Sequence, residues 1–501
     1  MFPSLWLNLV ATTALFVSQA CAAGSYNGLA VTPQMGWDNW NAYGCRVSEE
    51  LLLTTAQAMV DYGLRDLGYY YVILDDCWSS GRTPNGTLEA NVTKFPSGMA
   101  AIADQIHGMG LGYGMYSSAG AMTCAQYPGS LGMERQDAST FASWGVDYLK
   151  YDNCYNEGQF GTALISYNRY NAMSQALNAT GRPILYSMCN WGQDQPWNWA
   201  QTMANSWRMS GDVYDSFDRP DDRCPCTDQQ GTDCQLAGFH CSIMNIVNKL
   251  PYIQSKGQPG AWNDMDMLEV GNGGMTDEEQ VTHFTMWALL KSPLIIGTNI
   301  PAMSPQALSI YSNPAVIAIN QDPAGSQPKR NWRYYVNDTD QYGQGEIQLW
   351  TGSLANGDYV VCLLNAGSLP RSMNATLVDI FFDESSAGSV GPAPQLMQQW
   401  DVYDLWANRM SNDTAMGILS NNSTTGSNYT VSISMNSTTR YNATETSYAK
   451  GLAMNATALI GSKVGSVPPM GTLTAEVAGH GVGLFRLRSQ GTPSMRKRDE
   501  L

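Results

Sequence analysis

The stretch VDYLKYDNC, Val146 to Cys154, sets a lysine and an aspartate two residues apart at the close of a strand-like apolar run. Successive strand side chains alternate between faces, so Lys150 and Asp152 point the same way. Similar runs recur across residues 35–300: QMGWDNW, YYYVILDDCW, GLGYGMYSSAG, PILYSMCNW, NSWRMSGDV, AWNDMDML and SPLIIGT. Helix-like segments such as SEELLLTTAQAMVDYGLRDLG and DEEQVTHFTMWALLKS separate several of them. Strands alternating with helices predict a parallel sheet. Eight such units predict an α/β fold closed into a (β/α)8 TIM barrel.

Most of these runs end in polar residues: Asp75 and Asp76, Tyr116, Lys150 and Asp152, Asn190, Asp212, Asp264 and Asp266. In such a barrel the strand C-termini share the face on which active sites form. Helix capping accounts for one or two of the aspartates. It does not account for Lys150, nor for the tryptophans beside so many of them.

Beyond residue 325 the pattern changes. EIQLWTG, DYVVCLLNAG and GVGLFRLRS read as strands between Gly, Asn and Ser turns, with no convincing helix. A C-terminal antiparallel β-sandwich over 326–490 is expected, after a catalytic barrel over 24–325. Residues 407–460 are rich in Asn, Ser and Thr and read as a long glycosylated insertion.

At 501 residues and 44% hydrophobic, the chain can bury a substantial core. Its net charge of −16 argues against nucleic acid and membrane surfaces as partners. Residues 1–23 read as a signal peptide, since the apolar run Leu5 to Val17 is short for spanning and ends in small residues. Sequons at Asn85, Asn91, Asn178, Asn337 and Asn374, and seven more from Asn412 to Asn455, agree with a secreted glycoprotein carrying N-glycans. The tail 491–501 ends in Arg498 to Leu501, which resembles an endoplasmic-reticulum retrieval signal. Secretion is expected first, and retention in the reticulum lumen is the alternative.

Of eleven cysteines, Cys21 falls in the signal, and the other ten favour disulfides in a secreted chain. Cys224, Cys226, Cys234 and Cys241 match no zinc spacing; two nested disulfides are expected there. Cys189 and Cys362 lie in apolar runs and read as free thiols.

The four histidines, His107, His240, His283 and His480, lie in no metal or hydrolase motif, and there is no G-x-S-x-G elbow or P-loop. What remains is carboxylates and aromatics, the equipment of glycoside hydrolysis. An ammonium beside a carboxylate lowers its pKa, as a nucleophile that must stay ionised requires. A structural ion pair at a strand end explains Lys150 and Asp152 equally well on the pair alone.

Five blocks taken together go further. MGWDNWNAYGC, LDDCW, YLKYDNC, RMSGD and WNDMDML, in this order, resemble the signature blocks of glycoside hydrolase family 27, the α-galactosidases and α-N-acetylgalactosaminidases, most closely the fungal secreted melibiase type. The resemblance implies Asp152 as the nucleophile of a retaining mechanism and Asp212 as the general acid/base. It implies galactose contacts from Trp40, Asp75, Asp76, Tyr116, Lys150, Arg208 and Asp266, and disulfides Cys45–Cys77 and Cys124–Cys154. It implies no metal and no organic cofactor, α-galactoside substrates, and a homo-oligomer whose interface it does not locate.

Asp212, facing an anion in a partly dry pocket, is expected to stay protonated. Arg208 works against that and should contact sugar or carbonyl oxygens as well. In the family it resembles, small residues after the fifth strand leave room for an acetamide; bulky Trp191 stands in that region here, which implies galactose over its N-acetylated form. Asn190 stands where the family often has glutamate, leaving the 2-hydroxyl contact open. The alternatives are an α-N-acetylgalactosaminidase and a galactose-binding inactive homologue.

Overall fold

Strand β4, Tyr148–Asp152, keeps the two-residue alternation its sequence imposes. Tyr148 joins an inner cluster with Ile73, Leu185, Met267 and Ile295, while Leu149 and Tyr151 join the outer core. Tyr151 meets Tyr170 of the following helix edge-on at 5.8 Å between ring centroids. The remaining inward positions of β4 are Lys150 and Asp152. The protein is described here by a computed structural model covering residues 27–221, 223–224, 240–381, 394–421 and 441–489.

Eight parallel strands surround that inner cluster: β1 Met35–Asp38, β2 Tyr71–Leu74, β3 Gly112–Ser118, β4, β5 Leu185–Cys189, β6 Ser206–Arg208, β7 Trp262–Asp264 and β8 Leu294–Ile296. Each of the eight expected runs contains one of them. The hydrogen-bonded order is β7-β6-β5-β4-β3-β2-β1-β8. A parallel bridge between Leu268 and Ile296 joins the two ends, closing the (β/α)8 barrel. Register sets Ser118, Asp152 and Cys189 on one rung, with Tyr116, Lys150 and Ser187 on the inward rung below.

The helices form where capping and patterning agree. In α1, Glu49–Asp61, Ser48 accepts a hydrogen bond from Leu51 N, and Glu49 and Glu50 face the positive helix end. α2 (Met99–Gly108) and α3 (Glu134–Ser143) follow β2 and β3. α4, Ala163–Ala179, is capped by Thr162. Short 3-10 turns alone link β5 to β6, and α5 (Ile243–Lys249) precedes β7. α6, Asp277–Leu289, opens on a capping box between Thr276 and Glu279.

The second domain holds a six-stranded antiparallel sheet built from β9 Lys329–Tyr335, β10 Glu346–Ser353, β11 Tyr359–Asn365, β13 Trp400–Asp404, β14 Ser462–Val467 and β16 Gly481–Ser489. A pair, β12 Arg371–Thr376 with β15 Thr472–Val477, makes a second layer. Along β11 the faces divide. Val361 and Leu363 pack into the sandwich core with Trp400 and Leu487, whereas Val360, Cys362 and Leu364 belong to the barrel's own outer cluster. Cys362 is a buried free thiol touching Met286 of α6.

The expectation of no helix beyond residue 325 is corrected: Leu377–Ile380, Asn412–Asn421, Tyr448–Ala453 and Thr457–Ile460 are helical. Three of these lie within 407–460, read as a loop because polar Asn and Ser masked short apolar contacts. Tyr448 is buried, its hydroxyl donating to Leu67 O of the barrel. The signal peptide, residues 422–440 of the insertion and the 491–501 tail lie outside the described residues.

Candidate active site

The C-terminal strand ends converge on a cavity of about 200 Å³ lined by Trp40, Asp75, Asp76, Tyr116, Lys150, Asp152, Trp191, Arg208, Asp212 and Asp266, together with Asn41, Cys189 and His240 among others. Every expected site residue but one is on this wall. The exception is Asn190, which is buried behind it; its side-chain amide Nδ2 donates to Gln193 O, and its side-chain Oδ1 has no hydrogen-bond partner. Asn190 closes the turn after β5, and Trp191, with φ of 58°, is the residue presented to the cavity.

On one side stands Asp152, 7% exposed. Tyr116 OH donates to its Oδ2 at 2.9 Å and Asn153 N to its Oδ1 at 2.8 Å. The loops beyond β3 and β4 are joined by Cys124–Cys154. They approach so closely that a Cβ on Gly120 would sit 1.9 Å from Cys154 O, which requires glycine there. Cys45–Cys77 similarly ties the loop after β1 to that after β2.

Lys150 is not primarily the partner of Asp152. Its Nζ lies 2.6 Å from Asp75 Oδ2 and 3.9 Å from Asp38 Oδ2. Burial opposes its charge, but these two carboxylates hold the ammonium well above its ordinary value. The expectation that Lys150 would leave Asp152 with a lowered pKa is therefore corrected. Burial dominates and pushes Asp152 up to about 6; Lys150, Asn153 N and Tyr116 pull it down, and the Asp212 charge pushes it up.

The other side is built on Arg208. Its Nη2 lies 2.6 Å from Asp266 Oδ2 and 3.1 Å from Asp212 Oδ1. Asp266 sits at φ 83°, a strained backbone for a non-glycine residue. It is held there by Val213 N and Met267 N, which donate to its two carboxylate oxygens. Asp212 begins a two-residue strand paired with His240–Cys241, outside the barrel, and its side chain is 54% exposed. The dry surroundings expected of Asp212 are absent, because the loop carrying it stands at the mouth rather than on a barrel strand.

A further layer lies beneath. A small cavity lined by Asp38, Tyr148, Lys150, Ser187, Arg208 and Asp264, among others, continues into the barrel. Burial raises Asp38 well above the carboxylate range and Asp264 to about 6. Sequence reasoning missed Asp38 and Cys189 and left Asp264 unassigned. The period-two rule marks Asp264 two residues before Asp266, and Asp38 two before Trp40. Cys189 reads from sequence as a free thiol in an apolar run, which it is; its place on the rung of Asp152 also brings it to the cavity wall.

Among the described residues, Cys124, Asp152 and Cys154 are the one grouping with donor atoms close enough for a metal. Both sulfurs are in a disulfide, leaving a single carboxylate. Cys224 and Cys241 are bonded, the outer of the two nested pairs expected; Cys226 and Cys234 lie outside the described residues. Cys189 is a buried free thiol. Buried His283 accepts from Glu269 N, a structural role.

This geometry can be set beside known proteins. Residues 32–322 match the family model described as alpha galactosidase A, and residues 344–443 match the alpha galactosidase C-terminal beta sandwich domain. The chain belongs to the α-galactosidase family. It is a member of glycoside hydrolase family 27, of the melibiase type. It is 58% identical over 480 residues to an α-galactosidase of Lachancea cidri, covering 95% of this chain and 99% of that protein. The solved α-galactosidase of Saccharomyces cerevisiae superposes with a TM-score of 0.87 at 56% identity, over 93% of this chain and all of that one. An α-galactosidase of Saccharomyces cerevisiae has also been solved with raffinose, with the same figures. Among the described residues of this family member, no helix is long and apolar enough to cross a membrane.

Proposed function

We propose that the protein is a secreted exo-acting α-galactosidase that removes terminal α-D-galactose by a retaining double displacement. Asp152 attacks the anomeric carbon as the bond to the leaving group breaks, and Asp212 gives its proton to the departing oxygen. Asp212 then takes a proton from water, which attacks the same carbon, frees Asp152 and restores the α configuration. What carries this reading is that two carboxylates from separate elements, one anchored in a strand and one borne on a loop, face a single cavity. With its pKa near 6, Asp152 is mostly ionised at neutral pH. Half exposed at the mouth, Asp212 is open to the leaving group in the first step and to the attacking water in the second.

Lys150, Asp75, Asp76, Arg208 and Asp266 supply charged hydrogen-bonding groups for sugar hydroxyls, and Trp40 and Tyr116 supply ring faces. Trp191 fills the wall beside Cys189, which favours galactose over the N-acetylated sugar. Secretion with N-glycosylation accords with the sequon asparagines at 85, 178, 337, 374, 412 and 455, all exposed.

A proton-NMR time course on melibiose tests the reading. α-Galactose should appear first and mutarotate afterwards. β-Galactose appearing first overturns retention, and galactose binding without turnover of any α-galactoside supports a lectin instead.

A further inference from the structure

The loop that bears Asp212 leaves the barrel after β6 and is pinned along its length. Val213 N donates to Asp266 Oδ2 and Tyr214 N to Cys241 O. Asp215 Oδ2 accepts from Gly274 N at 2.5 Å, just ahead of α6. Phe217 comes next into the interior, and its buried ring meets the other domain. His480, in the turn between β15 and β16, stacks on it with ring centroids 4.9 Å apart and planes at 24°. We propose that His480 is a positioning residue for the general acid: through this ring the sandwich domain fixes the loop on which Asp212 meets the leaving group. The proposal rests on the catalytic reading above.

Three observations carry it. The first is how little else holds the acid. The Asp212 side chain is 54% exposed, and Arg208 is its ion-pair partner among the described residues. A carboxyl with so little packing of its own takes its position from its backbone, and so from the loop.

The second is the clamp on that loop. On one side the carbonyls of Ser216 and Phe217 accept from Ile243 N and Met244 N, the first residues of α5. On the other side stands the His480 ring. Phe217, five residues beyond Asp212, is where the two sides meet.

The third is that His480 is itself fixed. Its Nδ1 lies 2.7 Å from Glu279 Oε1, and Glu279 also closes the capping box of α6. Its carbonyl accepts from Thr282 Oγ1 of α6 at 2.8 Å, and its backbone N donates to Gly367 O of the sandwich at 3.0 Å. The ring is a wall braced by both domains, and a loop packed on it inherits that rigidity.

The test measures kcat/KM on melibiose, whose leaving group needs the acid's proton, and on dinitrophenyl α-galactoside, whose leaving group does not. The proteins are the wild type, His480→Asn, Phe217→Leu and the double variant. Asparagine suits the φ of 55° at position 480, so that change removes the ring without straining the turn. Each single variant should lower the ratio of melibiose to dinitrophenyl galactoside activity about tenfold, because a displaced acid loses proton transfer before the pocket loses the sugar. Inhibition by free galactose should move by no more than about twofold. The double variant should lose no more than the worse single one, since both changes remove one contact. If His480→Asn fails to fold, Phe217→Leu, which nearly conserves volume, decides. Equal losses on both substrates, or an unchanged ratio, leave His480 a purely structural residue and overturn the proposal with the catalytic reading intact. Losses that simply add give the two rings separate roles and overturn it as well. A wild-type protein silent on both substrates overturns the catalytic reading and the proposal with it.

Discussion

The two carboxylates proposed to act on the sugar are held in opposite ways. Asp152 sits on a barrel strand, 7% exposed, with a tyrosine hydroxyl and a backbone N–H on its oxygens and a disulfide in the adjoining loop. Asp212 sits four residues beyond Arg208, at the start of a two-residue strand in the loop after β6, with a side chain 54% exposed. A nucleophile needs a fixed line of approach, and a proton carrier needs access to both leaving group and water. Under the mechanism proposed above, a barrel strand fixes the attacking acid and the loop beyond β6 leaves the proton carrier open to leaving group and water. Burial, more than the nearest cation, sets the acidity of Asp152.

The contrast can be broken at several points. The largest effect should come from Asp152→Ala, which removes the attacking atom and should lower kcat on every substrate by on the order of 10⁴-fold or more. Asp212→Asn should lower kcat/KM on melibiose by about 10²- to 10⁴-fold, yet far less on dinitrophenyl α-galactoside, whose leaving group needs no proton in the first step. Equal losses on both substrates would remove the distinction between the two acids.

Stability provides the next measurement. Lys150→Ala leaves Asp75 buried without its cation and should cost about 3–5 kcal/mol, read as a lowered urea midpoint. The smallest expected effect is a shift in a pH profile. Asp152 must be ionised to react, and its raised pKa means this fraction is lost as pH falls through about 6. The acid limb of kcat/KM should lie there. Tyr116→Phe removes a hydrogen bond that favours the carboxylate, so the limb should move to higher pH, by about one unit. A limb that moves down would reverse the account of what sets this group's acidity.

The barrel was legible in sequence because every strand carries its own signal: a short apolar run, repeated eight times and in six of them closed by polar residues. The strand-borne part of the site was legible for the same reason, since alternation places Lys150 and Asp152 together without knowledge of the rest. The pairings were not. Which carboxylate neutralises Lys150 depends on β2 lying two strands away, and the nearest aspartate in sequence was the wrong choice. Loop-borne features were hardest to read. Neither the exposure of Asp212 nor the burial of Asn190 follows from spacing, because both are set by turns whose direction only the folded chain decides. Family resemblance located Asp212 but said nothing about its surroundings.

Strand β11 carries a consequence for how the molecule can be taken apart. One of its faces completes the sandwich and the other, through Val360, Cys362 and Leu364, completes the barrel's outer layer. A chain cut near residue 325 would leave α6 with a bare oily flank and no companion to cover it. The catalytic half is thus no detachable module: whoever shortens this protein, in the laboratory or by descent, must first find that flank another cover.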